Sequence, residues 1–267
     1  MKQLKLMVLT LTLLMGTMFT SCMDSGESGP QQWAGVVKVN DRMSYVTFTD
    51  AAGTELIPTN TIPVTLNARM AYIYCQVDEG QDLSTNPKSI KITLLADPTG
   101  IDATAITTPK VGESGDVTTN APVGSLSFVS GYSTVAPFQF SENTIVLPVL
   151  YRVKNVTTTE DIKNELAKHT FTLVCYTDDI KSGDTILKLY LRYKVEDEPA
   201  AIAERATRTS SFKAYEISQI LREYTLKSGQ TKPAKITIVA QQNEYNNKLE
   251  DTSTTEKVYE IEYKTAE

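Results

Sequence analysis

The chain carries one histidine, His169, so any Ser–His–Asp or Cys–His mechanism would have to run through that imidazole. It stands in the string AKHTFT, with no cysteine and no glycine-flanked serine beside it. It reads as a surface or element-boundary histidine. A zinc site asks for three or four His, Cys or acidic ligands. One histidine with widely separated cysteines does not supply them, and no metal or cofactor is expected. No G-x-x-x-x-G-K-[ST] or G-x-G-x-x-G string occurs, which removes phosphate-loop and dinucleotide sites. Carboxylates remain, because a glycosidase needs only two at the right separation, and the 32 acids leave that open. Glu260 and Glu262 alternate with Tyr259, Ile261 and Tyr263 in YEIEY, an arrangement that turns both acids to solvent. Asp178, Asp179 and Asp184 surround a turn, where side-chain bonding to the backbone explains them better than weak calcium binding. No catalytic residue is assigned.

Cys22 is a different case. Lys2 and Lys5 open the chain, Leu6 to Phe19 form an apolar run broken only by threonines and Gly16, and the segment ends FTSC. The run is too short to span a bilayer and has the layout of a secretory leader. FTSC resembles a bacterial lipobox, so residues 1–21 are expected to be removed and Cys22 to carry lipid such as palmitate. Each buried methylene contributes about 0.8 kcal/mol, and two or more chains anchor stably. Residues 22–32 then form a polar tether. Asp24 and Glu27 within it resemble a surface-export signal, which leaves the periplasmic and outer faces of the outer membrane both open. The net charge of −6 disfavours nucleic acid as a partner. The expected partners are the membrane, through the lipid on Cys22, and a glycan or protein at the envelope.

Alternating runs rich in Val, Ile, Thr and Tyr recur along the rest of the chain, which predicts an all-β protein. Residues 33–97 hold five such runs: WAGVVKVN, SYVTFTD, TELIP, MAYIYCQV and KSIKITLLA. Five short strands without room for a sizeable helix predict a small OB-like β-barrel. Residues 98–267 are expected to form a linker, reaching a strand near Leu126 to Val129, and an antiparallel β-sandwich. TFTLVCY and TILKLYLRYKV predict a hairpin turning at Ser182 and Gly183. Pro148 marks an edge or bulge in TIVLPVLYRV. One or two short helices are expected. The first starts at a Thr159 N-cap with Ile162 and Leu166 on its apolar face, and the second places Ile217, Ile220, Leu221 and Tyr224 together. Cys75 and Cys175 fall in separate domains and read as buried free thiols. Tyr45, Tyr72 and Tyr74 lie on barrel strands. They suit either a ligand or partner patch or ordinary cross-strand packing.

A lipobox cysteine, a polar tether, a barrel opening on Trp33 and then a sandwich together resemble the NigD-like lipoproteins of Bacteroidetes. The segments that carry the resemblance are WAGVVKVN, SYVTFTDAAGTELIP with its D-x-x-G turn, AYIYCQV, IKITLLADPTGID and TILKLYLRYKV followed by SFKAYEIS. The resemblance implies an OB-like domain followed by a sandwich and implies no activity. The expectation is therefore a lipid-anchored, non-catalytic binding or assembly protein. The alternatives are a glycan-active enzyme using paired carboxylates and a fimbrial or adhesin subunit. The last would use Arg205–Arg208, read as a loop, as a trypsin-like cleavage site before strand exchange.

Overall fold

The computed structural model describes residues 31–42, 45–60, 66, 68–81, 83, 87–113, 115–130 and 133–265. The expected leader (residues 1–21), Cys22, Asp24 and Glu27 lie outside the described residues. The chain divides into two compact units, one running to Ala103 and including Val129–Val135, the other comprising Thr104–Phe128 and Ala136 onward. Among the described residues no helix is long and apolar enough to cross a membrane.

The first unit contains β1 (Gln32–Arg42), β2 (Tyr45–Thr49), β3 (Glu55–Pro58), β4 (Met70–Val77), β5 (Ser89–Leu94) and β6 (Thr99–Ile101). The first five close a barrel in the order β1-β2-β3-β5-β4, with β4 pairing back onto β1. Only the β3–β5 pair of that ring is parallel. The closure follows from alternation. Trp33, Val37, Phe48, Ala71, Ile73, Cys75, Ile90 and Ile92 point inward and are buried together. Each large side chain so buried contributes roughly 1.5–3 kcal/mol. The β2–β3 turn is built by Asp50, whose Oδ1 accepts from the N–H groups of Ala52 (2.9 Å) and Thr54 (2.8 Å). Gly53 supplies the left-handed residue at φ 87°.

The remaining strands are β7 (Ala103–Ala105), β8 (Phe128–Ser130), β9 (Ser133–Val135), β10 (Phe138–Ser141), β11 (Thr144–Val153), β12 (His169–Val174), β13 (Ile186–Val195), β14 (Thr207–Glu216), β15 (Lys235–Gln242) and β16 (Thr255–Glu262). The helices are α1 (Thr159–Ala167), α2 (Pro199–Ala203) and α3 (Ser218–Ser228). One four-stranded sheet has the order β10-β11-β14-β7 and another β12-β13-β15-β16, while β8 and β9 pair with each other. Both four-stranded sheets feed one core. Ile145, Leu147, Val149 and Tyr151 of the first join Leu173, Leu187, Leu189, Tyr193 and Ile238 of the second. The Tyr151 ring meets Phe171 edge-on at 5.0 Å between centroids.

The fold class is all-β, a small OB-like barrel followed by a sandwich, with several local corrections. The sandwich is not wholly antiparallel, because β13 and β15 run parallel. Between them the chain leaves for β14 in the other sheet and returns through α3, the kind of long crossover a parallel neighbour requires. A third helix, α2, starts at Pro199, whose fixed φ suits a first helical turn. The true N-cap of α1 is Thr158, one residue earlier than expected, and its side chain accepts from the Asp161 N–H. Ile162 and Leu166 do not face the core. They are exposed, and the helix buries Glu165 instead. The stretch after residue 97 is not a free linker. Thr99–Ile101 pair with β4, and Ile106, Ala121 and Val123 are buried in the sandwich core. The Asn120 side chain bonds both main-chain groups of Val195. The strand expected at Leu126 to Val129 begins at Phe128. Pro148 lies between two outer partners of β11, namely β10 up to Val146 and Ser125 at Leu150, where a missing N–H costs little.

Candidate functional site

The cap on Thr158 fixes the start of α1 and thereby the direction of Glu165, near its end. His169, four residues on, opens β12. Arg205 follows α2 and completes the group. Glu165 Oε1 accepts from Arg205 Nε (2.7 Å), from the Lys154 main-chain N–H (2.8 Å) and from His169 Nε2 (3.3 Å). Glu165 Oε2 accepts from Arg205 Nη2 at 3.2 Å. Asp197 Oδ2 accepts from the same Nη2 (3.0 Å), from Lys154 Nζ (3.1 Å) and from Lys168 Nζ (3.3 Å). His169 Nδ1 lies 2.7 Å from the Tyr193 hydroxyl. An ionised Glu165 can only accept, so Nε2 carries the imidazole proton and Nδ1 accepts from Tyr193.

The electrostatics follow from this geometry. Burial pushes the His169 imidazole below its ordinary value, although the Glu165 charge opposes that. Burial pushes Glu165 upward. The Lys154 N–H and Arg205 outweigh it and hold the carboxyl below its usual range. Hydrogen bonds from Lys154 and Arg205 hold Asp197 well below the carboxylate range. Two carboxyls kept ionised cannot provide the proton donor that glycoside hydrolysis needs. The side chains of His169, Glu165 and Arg205 are 1%, 4% and 0% exposed, so no substrate reaches them. This cluster ties α1, β12, β13 and the α2–β14 connection together. His169 is thus a buried residue, not a surface one. Arg205 is not a cleavage site either. It is enclosed and bonded on every side, and Arg208 lies in β14, paired to β11.

The barrel tyrosines divide. Tyr72 and Tyr74 face the same side of β4, opposite Val36 and Ala34 of β1. The Tyr74 hydroxyl donates to Gln32 Oε1 at 2.5 Å. Tyr45 is opposite Arg42, eight residues along β1 from Ala34, or roughly 26 Å at the usual rise. There it packs under the Arg42 guanidinium, 5.9 Å from the ring centroid. The fold therefore brings two of the three together.

The other singled-out residues are structural. Cys75 and Cys175 are free and buried, and burial pushes both thiols up to about 12. Asp184 Oδ2 accepts from the Lys181 N–H in the turn completed by Gly183, at φ 87°. Asp178 pairs with Lys227 at 3.0 Å. Glu260 is exposed and pairs with Lys235. Among the described residues no three His, Cys, Asp or Glu side chains group as metal ligands. The i, i+4 spacing of Glu165 and His169 was a usable sequence signal for the cluster. Nothing in the sequence marked Arg205 as their partner.

A crystal structure described as "Putative lipoprotein" from Bacteroides fragilis NCTC 9343 is 96% identical to this chain. The match covers 89% of this chain and 100% of that one, with a TM-score of 0.82. The chain belongs to that lipoprotein's family. A "protein of unknown function DUF1344" from Bacteroides vulgatus ATCC 8482 shares the fold at 11% identity. That match covers 87% of this chain and 91% of the other, with a TM-score of 0.54. No family model matches the sequence, and no curated protein matches it.

Proposed function

We propose that this lipoprotein is a lipid-anchored envelope protein that works by binding or assembly and not by turnover. Residues 1–21 are its leader, Cys22 bears the lipid, and the tether expected over 22–32 ends before Gln32, which already pairs with Gln76 of β4. The anchored body stands at the outer membrane, on its periplasmic or outer face. The FTSC string and the lipoprotein name of the 96% identical protein support the anchor. The barrel followed by a sandwich supports the NigD-like layout as the finer family reading.

The enclosure of His169 is the observation that carries the non-catalytic half. The only imidazole of the chain, with its acid Glu165, is consumed in holding the sandwich together. Tyr72 and Tyr74 offer two aromatic side chains on the barrel exterior for a glycan or protein partner, with Tyr45 as a separate contact. The test compares the wild-type chain with Cys22→Ser in cells fed a labelled fatty acid. Wild type is expected in the membrane fraction, labelled and detergent-soluble, with the variant unlabelled and released. Label retained on the variant would overturn the anchor.

A further inference from the structure

Arg152 and Arg208 stand directly opposite each other across β11 and β14. Cross-strand partners point to the same face with Cβ atoms about 5 Å apart, and like charges placed there repel. Arg152 is only 8% exposed while Arg208 is exposed, so water screens the repulsion from one side only. A buried guanidinium is normally answered by a carboxylate, as Arg205 is. Among the described residues neither Arg152 nor Arg208 has a carboxylate within ion-pair distance.

Their bonds go to main-chain oxygens instead. Arg152 Nη1 donates to Ala206 O (3.1 Å) and Nη2 to Glu244 O (2.6 Å). Arg208 Nη2 donates to the same Glu244 oxygen at 2.8 Å. The Arg152 Nε–H has no partner. Each guanidinium carries more donors than these bonds use. Burial, and then the Arg208 charge, lower the basicity of Arg152.

Both arginines line a cleft of about 150 Å³ with Gly124, Ser125, Ser127 and Glu244. All of these residues belong to the second unit. Gly124 lets the wall it forms pack close on β11, since a Cβ there would lie 3.1 Å from the Leu150 carbonyl oxygen. The Glu244 carboxylate turns aside, its Oε1 accepting from the Gln242 amide at 3.0 Å. At ~30 Å³ per water, the cleft has room for an oxyanion and part of whatever carries it.

We propose that the cleft is an oxyanion site, in which a sulfate, phosphate or carboxylate group is held between Arg152 and Arg208. The planar guanidinium fork matches such oxygens in pairs, and the bound charge removes the cross-strand repulsion. The site does not depend on the anchor at Cys22 or on the barrel tyrosines.

The test is thermal unfolding of the mature protein against sodium sulfate, phosphate and acetate, each matched in ionic strength with chloride. Sulfate and phosphate esters of a hexose form the second arm. At least one probe is expected to raise the melting temperature saturably by several degrees. Arg208→Ala, at an exposed position, should weaken that probe at least tenfold, and Glu244→Gln should tighten it several-fold. Tighter binding of the ester than of the free ion assigns the anion to a larger molecule, and the reverse assigns it to a free ion. Shifts no larger than those of chloride, or a saturable shift unchanged in Arg208→Ala, would overturn the proposal.

Discussion

Two arginines on the same unit are buried in opposite ways. Arg205 is fully enclosed and balanced by Glu165 and Asp197, with Lys154 and Lys168 completing the Asp197 side. Arg152 is nearly as enclosed, yet its cross-strand neighbour is another arginine and its bonds end on carbonyl oxygens. The first arrangement is complete within the chain, and such a cluster fixes geometry. The second leaves positive charge uncompensated in a cleft, and such a pair is suited to receive an anion. Burial alone therefore does not separate a structural arginine from a binding one. What balances the charge does.

Arg205→Met should be the most damaging single change. It strands a buried Glu165 without its cation, a loss of about 3–5 kcal/mol, read as a lower urea midpoint. Adding Glu165→Gln should recover part of that loss, because the two residues act as one unit. Full additivity would show that the cluster is not coupled.

Acid should erode the same cluster. The His169 imidazole is held below its ordinary value of 6.5, so the unfolded chain binds the proton more readily between the depressed native value and 6.5. Its contribution is whole above about pH 6.5 and is lost as pH falls. Glu165 and Asp197 are also depressed, and add a loss of the same sign below about pH 4.5. Urea midpoints taken from pH 7.5 down to about pH 3 should fall in these two stages. A His169→Gln variant should lack the first stage.

Arg152→Met should be far milder. It loses bonds to two carbonyls, but it removes a like-charge repulsion and an unpartnered N–H. Without added anion, stability should change by no more than about 1 kcal/mol. A loss as large as that of Arg205→Met would show that the two arginines play the same structural part.

Much of the architecture was legible because alternation is a local signal. WAGVVKVN, MAYIYCQV and TILKLYLRYKV show their inner faces directly, and the inward Leu187, Leu189, Leu191 and Tyr193 are all buried. The parallel β13–β15 pair was not legible, since it depends on where a crossover of some forty residues returns. Ile162 and Leu166 misled because an apolar pair at helical spacing usually marks the buried face. In α1 a carboxylate bound to a distant arginine sets the facing instead. The Arg152–Arg208 pair was invisible for the same reason, because the strand register that makes the two residues neighbours is written nowhere near either of them.

An anion held between Arg152 and Arg208 should be felt at the unpartnered Nε–H of Arg152, which NMR of the arginine Nε–H groups reads. Sulfate would be titrated at constant ionic strength, with the resonances assigned through Arg152→Lys and Arg205→Lys. The Arg152 Nε–H resonance should move saturably and gain protection from exchange, while that of Arg205, already bonded to Glu165, stays in place. An Arg152 resonance that does not move, or one that moves no differently from that of Arg205, would contradict the oxyanion site.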